Sequence, residues 1–230
     1  MIGPRVYIGH DAREAVAFDV AVKSLMRHTP SAAVTPLYAE RLAAFGLLRR
    51  PQDRRGVIYD IASNAPQATD FAISRFLVPH LAQTGWCLFV DCDVVFLSDV
   101  RELFALADDR YAAMVVKHAP LSSTAEKMDG QAQAVYSRKN WSSVVLWNCD
   151  HPANRRLSLQ DVNERPGRDL HAFYWLADSE IGELPAAWNW LVGVQPMPTS
   201  PLIAHYTLGG PFTPGWRGAN HDRIWWEASE

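Results

Sequence analysis

The run Trp86-Cys87-Leu88-Phe89-Val90 offers no charged position to either face of a strand and leads directly into Asp91-Cys92-Asp93. A strand of that kind is buried, and two carboxylates one residue apart at its end need a cation, a proton or a hydrogen-bond network to compensate them. In an open α/β sheet ligands bind at the carboxyl ends of strands, so this limit on the fold is also a statement about chemistry. Asp91 and Asp93 read as metal ligands or as a nucleophile with its partner. The plainer alternative is an exposed loop aspartate followed by a helix cap. Asp99, in the turn-like Ser98-Asp99, already serves as a cap for the segment from Val100, which leaves the two upstream carboxylates in need of another explanation.

The remaining chain alternates short apolar runs with amphipathic ones. Val6-Tyr7-Ile8 lies in a strand from Arg5 to Gly9, and residues 13–28 carry Val16, Val20 and Leu25 at helical intervals. Further strands are predicted over 33–38, 112–116, 144–147 and 202–204, with helices over 70–81, 100–106 and 170–176 and a loop-rich stretch over 41–63. This order predicts an α/β fold. At 230 residues the chain suffices for one large domain with a sizeable core, and no linker divides it. Apolar runs are far shorter than a membrane span and the first residues carry no secretory pattern, so a cytoplasmic location is expected, with peripheral association at a membrane as the further placement it admits. Cys87, Cys92 and Cys149 show no CxxC spacing and are expected as reduced core thiols. A net charge of −3 provides no general attraction to nucleic acid.

Three further features bear on a ligand. Arg49, Arg50, Arg54 and Arg55 in the loop-rich stretch have the charge to meet an anion, although a solvated surface loop is the more ordinary role for such a cluster. Eight of nine tryptophans fall after about residue 140, where they supply flat faces for a sugar ring or, more ordinarily, fill the core. The terminal pair Trp225-Trp226 is expected to dock on the chain's own body. His205, at the end of a short apolar strand and before Gly209-Gly210, is a metal-ligand candidate beside glycines whose backbone can approach a phosphate. Two carboxylates and one imidazole suit Mn²⁺, with Mg²⁺ as the second choice, and leave positions open for phosphate oxygens.

These residues, in this order, resemble the family 8 glycosyltransferases of GT-A fold and their bacterial relatives. The resemblance runs through Tyr7-Ile8-Gly9-His10-Asp11, Ser74-Arg75-Phe76, Phe89-Val90-Asp91-Cys92-Asp93, Asp99-Val100-Arg101-Glu102-Leu103-Phe104 and His205-Tyr206-Thr207. It implies a Rossmann-like nucleotide-diphospho-sugar transferase fold with a mixed central sheet flanked by helices, in one domain over 1–230. Residues up to about 120 would serve nucleotide and metal, and those from about 121 onward the donor sugar and acceptor. It further implies retaining transfer from a nucleotide-sugar, UDP-linked, to a saccharide, lipid-linked or other hydroxyl acceptor that the sequence does not identify. Asp91, Asp93 and His205 would hold the metal against the diphosphate. Ile8, Gly9 and Asp11 would receive the nucleoside, with Arg75, Cys92, Lys139, Ser142, Gly209 and Gly210 around the donor. The chain departs from the family where Trp141-Ser142-Ser143 replaces its Asn-Ser/Ala-Gly and where Leu208-Gly209-Gly210-Pro211 lacks its lysine, which shifts diphosphate neutralisation to Lys139, Arg75 or Arg217.

The reaction gives these residue types their purpose. Cleaving the bond between anomeric carbon and phosphate places positive charge on the sugar and negative charge on the diphosphate, and a cation at the latter lowers the barrier. A carboxylate beside the sugar stabilises or attacks the developing centre; Asp178 and Glu180 stand nearest to the family's Asp-Gln pair and are the expected catalytic groups, an exposed helix-end role being the alternative. Two other readings follow from the same residues. Asp91-Cys92-Asp93-Val94 also fits the nucleophile motif of haloacid-dehalogenase-like phosphatases, with Asp91 as nucleophile, although no Gly-Asp dipeptide supplies that family's acidic pair. The third is a non-catalytic carbohydrate-binding protein that uses the tryptophans and holds a structural ion.

Overall fold

The computed structural model describes residues 3–119, 138 and 140–230. β1 (Arg5–His10) is buried at its four central residues, and α1 (Ala15–His28) follows a tight turn in which Asp11 accepts the Arg13 N–H. α1 buries Phe18, Ala21 and Leu25, the spacing that turns one helical stripe toward a sheet. β2 (Ala33–Tyr38) returns parallel to β1, pairing Arg5 with Ala33 through His10 with Tyr38. α2 (Ala39–Ala44) and a small antiparallel sheet of β3 (Gln52–Asp53), β4 (Tyr59–Asp60) and β5 (Ala65–Pro66) occupy the stretch read as loop-rich. Of its arginines only Arg50 turns inward: it is buried, pairs with Asp60 and donates to the Val162 and Arg165 carbonyls at 2.8 and 2.9 Å. Arg49, Arg54 and Arg55 are exposed, Arg54 pairing with Asp70 and Arg55 with Asp53, the solvated role that is ordinary for such a cluster.

A 3-10 turn over Ser74–Leu77 leads into α3 (Val78–Ala82), so the helix expected over 70–81 is short and divided. Pro79 is the reason. It lacks an N–H and clashes within a helix body but fits the first turn, so the regular helix starts around it. β6 (Trp86–Val90), β7 (Val94–Phe96), α4 (Val100–Phe104) and β8 (Ala113–Val115) follow, with Asp99 capping α4 through the Arg101 N–H as expected. β9 (Val144–Asn148), α5 (Leu159–Glu164), α6 (Gly167–His171), β10 (Ile181–Glu183), β11 (Trp190–Leu191), β12 (Ile203–His205) and α7 (Asp222–Ser229) complete the order.

Among the described residues the main sheet runs β10-β8-β9-β6-β1-β2, mixed because β9 lies antiparallel to both neighbours. β6 sits between β1 and β9, and Cys87, Leu88, Phe89 and Val90 have no exposure. Burying side chains such as Leu88 and Phe89 contributes about 1.5–3 kcal/mol each. From β1 the chain passes to β2 on one side and later to β6 on the other, so the sheet order reverses between β1 and β6, where open sheets leave a crevice. A second sheet, β11-β12-β7, starts just beyond the end of β6, since β7 follows it across Asp91-Cys92-Asp93.

Most of the tryptophans are core residues. Trp147, Trp175, Trp188, Trp190 and Trp225 are buried, and the rings of Trp147, Phe173 and Trp175 lie within 6.2 Å of one another. Trp225 packs α7 on Val20, Val95, Trp190 and Tyr206, while Trp226 is exposed. The pair expected to dock the C-terminus therefore divides between the two tasks of anchoring and facing solvent. All three cysteines are buried and free. Among the described residues no helix is long and apolar enough to cross a membrane.

Candidate active site

β6 ends at Val90, and the next three residues cross from the main sheet to the small one. Asp91 donates its N–H to the Ser143 carbonyl at 2.9 Å, and the Asp93 carbonyl accepts from the Tyr206 N–H at 2.9 Å, so both ends of the tripeptide are held. The bend between the two strands sorts the side chains: Asp91 and Asp93 each offer an oxygen to one cluster with His205, while Cys92 between them is buried. Cys92 is fully buried and its Sγ lies 3.1 Å from Glu14 Oε2, so burial first, and the Glu14 charge second, push its pKa well above the ordinary thiol value. Its side chain faces the core, away from the two aspartates.

His205 enters from the other sheet. β12 pairs antiparallel with β7, and the register His205 to Val94 sets the imidazole beside Asp93, with Nε2 3.2 Å from Asp93 Oδ1. One ligand atom each from Asp91, Asp93 and His205 lie within 4.8 Å of one another. The chemistry of that set fits a hard-to-intermediate divalent cation: two carboxylates supply charge, one imidazole excludes a purely oxygen-ligated site, and three protein ligands leave room for ligand oxygens. Arg75 closes the other side. Its Nη1 lies 2.8 Å from Asp91 Oδ1 and 2.8 Å from the Ser142 carbonyl, Nε donates to Ala72 O at 3.0 Å, and the guanidinium lies 5.0 Å from the Phe89 ring centroid. Asp91, Asp93, Arg75, Ser142 and His205 are thus brought together.

The other sequence-derived positions are distributed differently. Ile8 has no exposure, and a Cβ at Gly9 would lie 2.4 Å from the Phe71 ring, so glycine there lets Phe71 close on the strand. Asp11 is fully buried. Burial would raise its pKa, but hydrogen bonds from Arg13 and the Asp70 N–H outweigh that and hold it below the ordinary carboxylate value. Ser142 Oγ is 2.7 Å from His171 Nδ1, a ring held neutral by burial and then by the Arg75 and Arg50 charges. Gly209, at φ +105°, donates to the Tyr206 carbonyl at 2.8 Å, and Gly210 donates to Thr213 Oγ1 at 3.1 Å, so both glycines build the turn after β12. Lys139 lies outside the described residues.

The two expected catalytic carboxylates part company. Asp178 pairs with Arg138 and lines a cavity of about 500 Å³ with His118, Trp141 and Tyr174. Its wall includes Trp141, the residue before Ser142, and His118, which lies near enough to His205 to feel its charge. Glu180 instead accepts the Ala177 N–H at 2.8 Å, pairs with Arg156, and through its carbonyl accepts from Ala112 at the amino end of β8. β8 and β6 run the same way, so Glu180 stands toward the opposite end of the sheet from Asp91.

Three residues that touch this site had no individual role in the sequence reading, although Ser143 lies in the segment that resembles the family's donor-sugar lining. Asn189 is fully buried with Oδ1 2.9 Å from His205 Nδ1. Ser143 receives the Asn189 amide at 3.0 Å. His118 follows β8, its pKa pushed down to about 4 by burial and then by His205 nearby, and Gln195 lies 3.1 Å from its Nδ1. The available signal was a polar residue next to an apolar run: His118 shortly after Val115-Val116, Ser143 before Val144-Val145-Leu146, and Asn189 between Trp188 and Trp190.

No family model matches the chain. Protein CDI of Arabidopsis thaliana is 42% identical over 228 residues, covering 96% of this chain and 84% of that protein. Among solved structures, the apo glycosyltransferase GlyE of Streptococcus pneumoniae TIGR4 superposes with a TM-score of 0.61 at 16% identity. All of this chain is covered, which spans 60% of the length of GlyE. The galactosyltransferase LgtC, solved with donor and acceptor sugar analogues, gives 0.59 at 13% identity over 98% of this chain and 95% of its own. These likenesses establish the fold as GT-A, with its mixed sheet.

Proposed function

The chain belongs to the family of Arabidopsis protein CDI, and from that premise, its GT-A fold and its Asp-Asp-His cluster we propose that it is a metal-dependent glycosyltransferase related to family 8. The donor is a nucleotide-sugar, UDP-linked, and transfer proceeds with retention to a saccharide, lipid-linked or other hydroxyl acceptor. The observation that carries this reading is the convergence of Asp91, Asp93 and His205 at the carboxyl end of β6, beside the reversal of strand order. That end of an open α/β sheet is where ligands sit. A GT-A scaffold also removes the structural setting in which Asp91 would act as a phosphatase nucleophile.

Asp91, Asp93 and His205 would hold Mn²⁺, or Mg²⁺ as the second choice. Bound there, the ion supplies Lewis-acid stabilisation of the charge that develops on a leaving diphosphate. The remaining work belongs to side chains. Arg75 fixes the Asp91 carboxylate and adds positive charge to the diphosphate side. Trp141 and Tyr174 wall the adjoining cavity with flat faces suited to a pyranose, and Asp178 is the carboxylate facing it. Glu180, the other sequence-derived candidate, would need a different approach to the sugar from the far end of β8. We read the chain as one domain, residues up to about 120 serving nucleotide and metal and later ones the sugar pocket.

A panel of nucleotide-sugars with Mn²⁺ tests this. A ligand that binds only the native state raises apparent stability, so a UDP-sugar with Mn²⁺ should raise Tm and be slowly hydrolysed, and Asp93→Ala should abolish both. No shift with any nucleotide-sugar would overturn the reading. Turnover of p-nitrophenyl phosphate alone would restore the phosphatase, and sugar binding without turnover would favour a carbohydrate-binding protein.

A further inference from the structure

His205 presents one ring nitrogen to the acidic cluster, and the other is engaged behind it. Nδ1 lies 2.9 Å from Asn189 Oδ1, Asn189 Nδ2 lies 3.0 Å from Ser143 Oγ, and Ser143 Oγ lies 2.7 Å from the Asn140 carbonyl oxygen. The direction of the whole chain follows from its last member. A carbonyl oxygen only accepts, so Ser143 donates its single proton to Asn140 and must accept from Asn189. That orients the amide with Nδ2 toward Ser143 and Oδ1 toward His205. An amide oxygen also only accepts, so His205 Nδ1 carries a hydrogen, and the neutral ring keeps its lone pair on Nε2. Nε2 is the atom 3.2 Å from Asp93 Oδ1.

We propose that Asn189 is a positioning residue that holds His205 as its Nδ1–H tautomer and so aims the Nε2 lone pair at the divalent ion Asp91 and Asp93 would share. Several features make Asn189 suited to that task. It has no exposure and sits between Trp188 and Trp190, both buried, so the amide cannot swing out to water. It is neutral, and therefore orients the imidazole without adding a third negative charge to a site that already has two. Its anchor is also shared: Ser143 takes the amide on its hydroxyl and the Asp91 N–H on its carbonyl, so one residue holds the histidine arm and the aspartate arm of the cluster. Partners behind a metal-binding histidine commonly fix tautomer and ring direction in this way.

The inference rests on the metal reading above, and the experiment separates the two. Mn²⁺ binding to the full chain is measured by the loss of the free-ion electron paramagnetic resonance signal, for wild type, Asn189→Leu and Asn189→Asp. Leucine removes the acceptor, and aspartate keeps one toward Nδ1. The expected result is a Kd raised about tenfold to hundredfold in Asn189→Leu and held within about threefold of wild type in Asn189→Asp. Nitrogen NMR of the metal-free wild type in mildly alkaline buffer, with His205 assigned by its loss in His205→Gln, should show Nδ1 as the protonated atom. Wild-type affinity in Asn189→Leu, equal losses in both variants, or a proton on Nε2 each overturn the role of Asn189. The NMR result decides the matter if neither variant folds. Failure of wild type to bind Mn²⁺ would overturn the metal reading itself and this role with it.

Discussion

Asp91 and Asp93 are the same residue type in unequal settings, and replacing each by alanine should separate structural compensation from ion binding. Asp91 Oδ1 is 2.8 Å from Arg75, whose side chain is 6% exposed. Taking one partner from a buried ion pair leaves an uncompensated charge, at about 3–5 kcal/mol. Arg75 keeps its bonds to the Ala72 and Ser142 carbonyls, and Asp91 is itself 15% exposed, so the expected loss is nearer to about 2–3 kcal/mol. For a chain of this size that lowers Tm by about 4–12 °C. Asp93→Ala loses only the contact with His205, and either substitution removes the repulsion between two carboxylates whose ligand atoms lie within 4.8 Å. That repulsion is worth about 1–3 kcal/mol across effective dielectric constants from water-like to surface-like and offsets part of the loss in both variants. The Arg75 pairing is therefore read from their difference, with Asp91→Ala the less stable by about 2–3 kcal/mol. Thermal melts in EDTA measure these terms. Adding Mn²⁺ at about a hundred times its Kd should then stabilise wild type by about 2.7 kcal/mol and neither variant. Two variants melting within about 2 °C of each other in EDTA would refute the assigned dependence of Arg75 on Asp91. A Mn²⁺ shift that persists in Asp93→Ala would remove Asp93 from the ion site.

His118 predicts a pH dependence. Its pKa in the folded chain is about 4, against about 6.5 when unfolded, so between those values the unfolded chain binds a proton that the folded chain does not. Stability therefore falls as pH drops through that window, by up to about 3 kcal/mol from this group, and about 2 kcal/mol of the loss should be visible between pH 7 and 5. His118→Gln should flatten the urea midpoint over that range, and an unchanged slope would sink the assignment. Arg50→Ala should cost about 3–5 kcal/mol, read from urea unfolding, because Asp60 is then left buried and unpaired at 2% exposure. The double change Arg50→Met with Asp60→Leu should recover most of that loss; if it unfolds like the single variant, the pair is not the cause.

Strands buried on both faces were the most legible part of the fold. Residues 86–90 and 144–147 are apolar over their whole length and pair in the middle of the main sheet, whereas 33–38, with Thr35 and Pro36, forms its edge. Helix limits were less so, since they depend on single residues. The helix expected over 170–176 stops at His171, and Phe173 adopts a left-handed φ of +51° that no glycine or asparagine announces. The arginine-rich stretch was legible as charged but not as directed: Arg50 turns inward because α5 and Asp60 meet it there, and that meeting depends on residues more than a hundred positions away.

For the site, legibility ended where one strand needed another. Asp91 and Asp93 could be read locally, because two carboxylates at the end of a buried strand need compensation. His205 could be read as a strand-end histidine, but its distance from Asp93 is set by the pairing of β12 with β7, which no local pattern specifies. Glycine at position 9 was visible, whereas its partner, the Phe71 ring, was not. The turn Trp141-Ser142-Ser143 is the most instructive case. As a sequence it registers only as a departure from a family pattern. In the fold Ser142 holds Arg75 by its carbonyl, Ser143 holds Asp91 by its carbonyl and Asn189 by its hydroxyl, and Trp141 walls the neighbouring cavity. Two of those three serine contacts are made by backbone oxygens, which every residue type carries. The departure from the family pattern therefore leaves the backbone support of the cluster in place, and adds through Ser143 Oγ a hydrogen-bond acceptor for the amide behind His205.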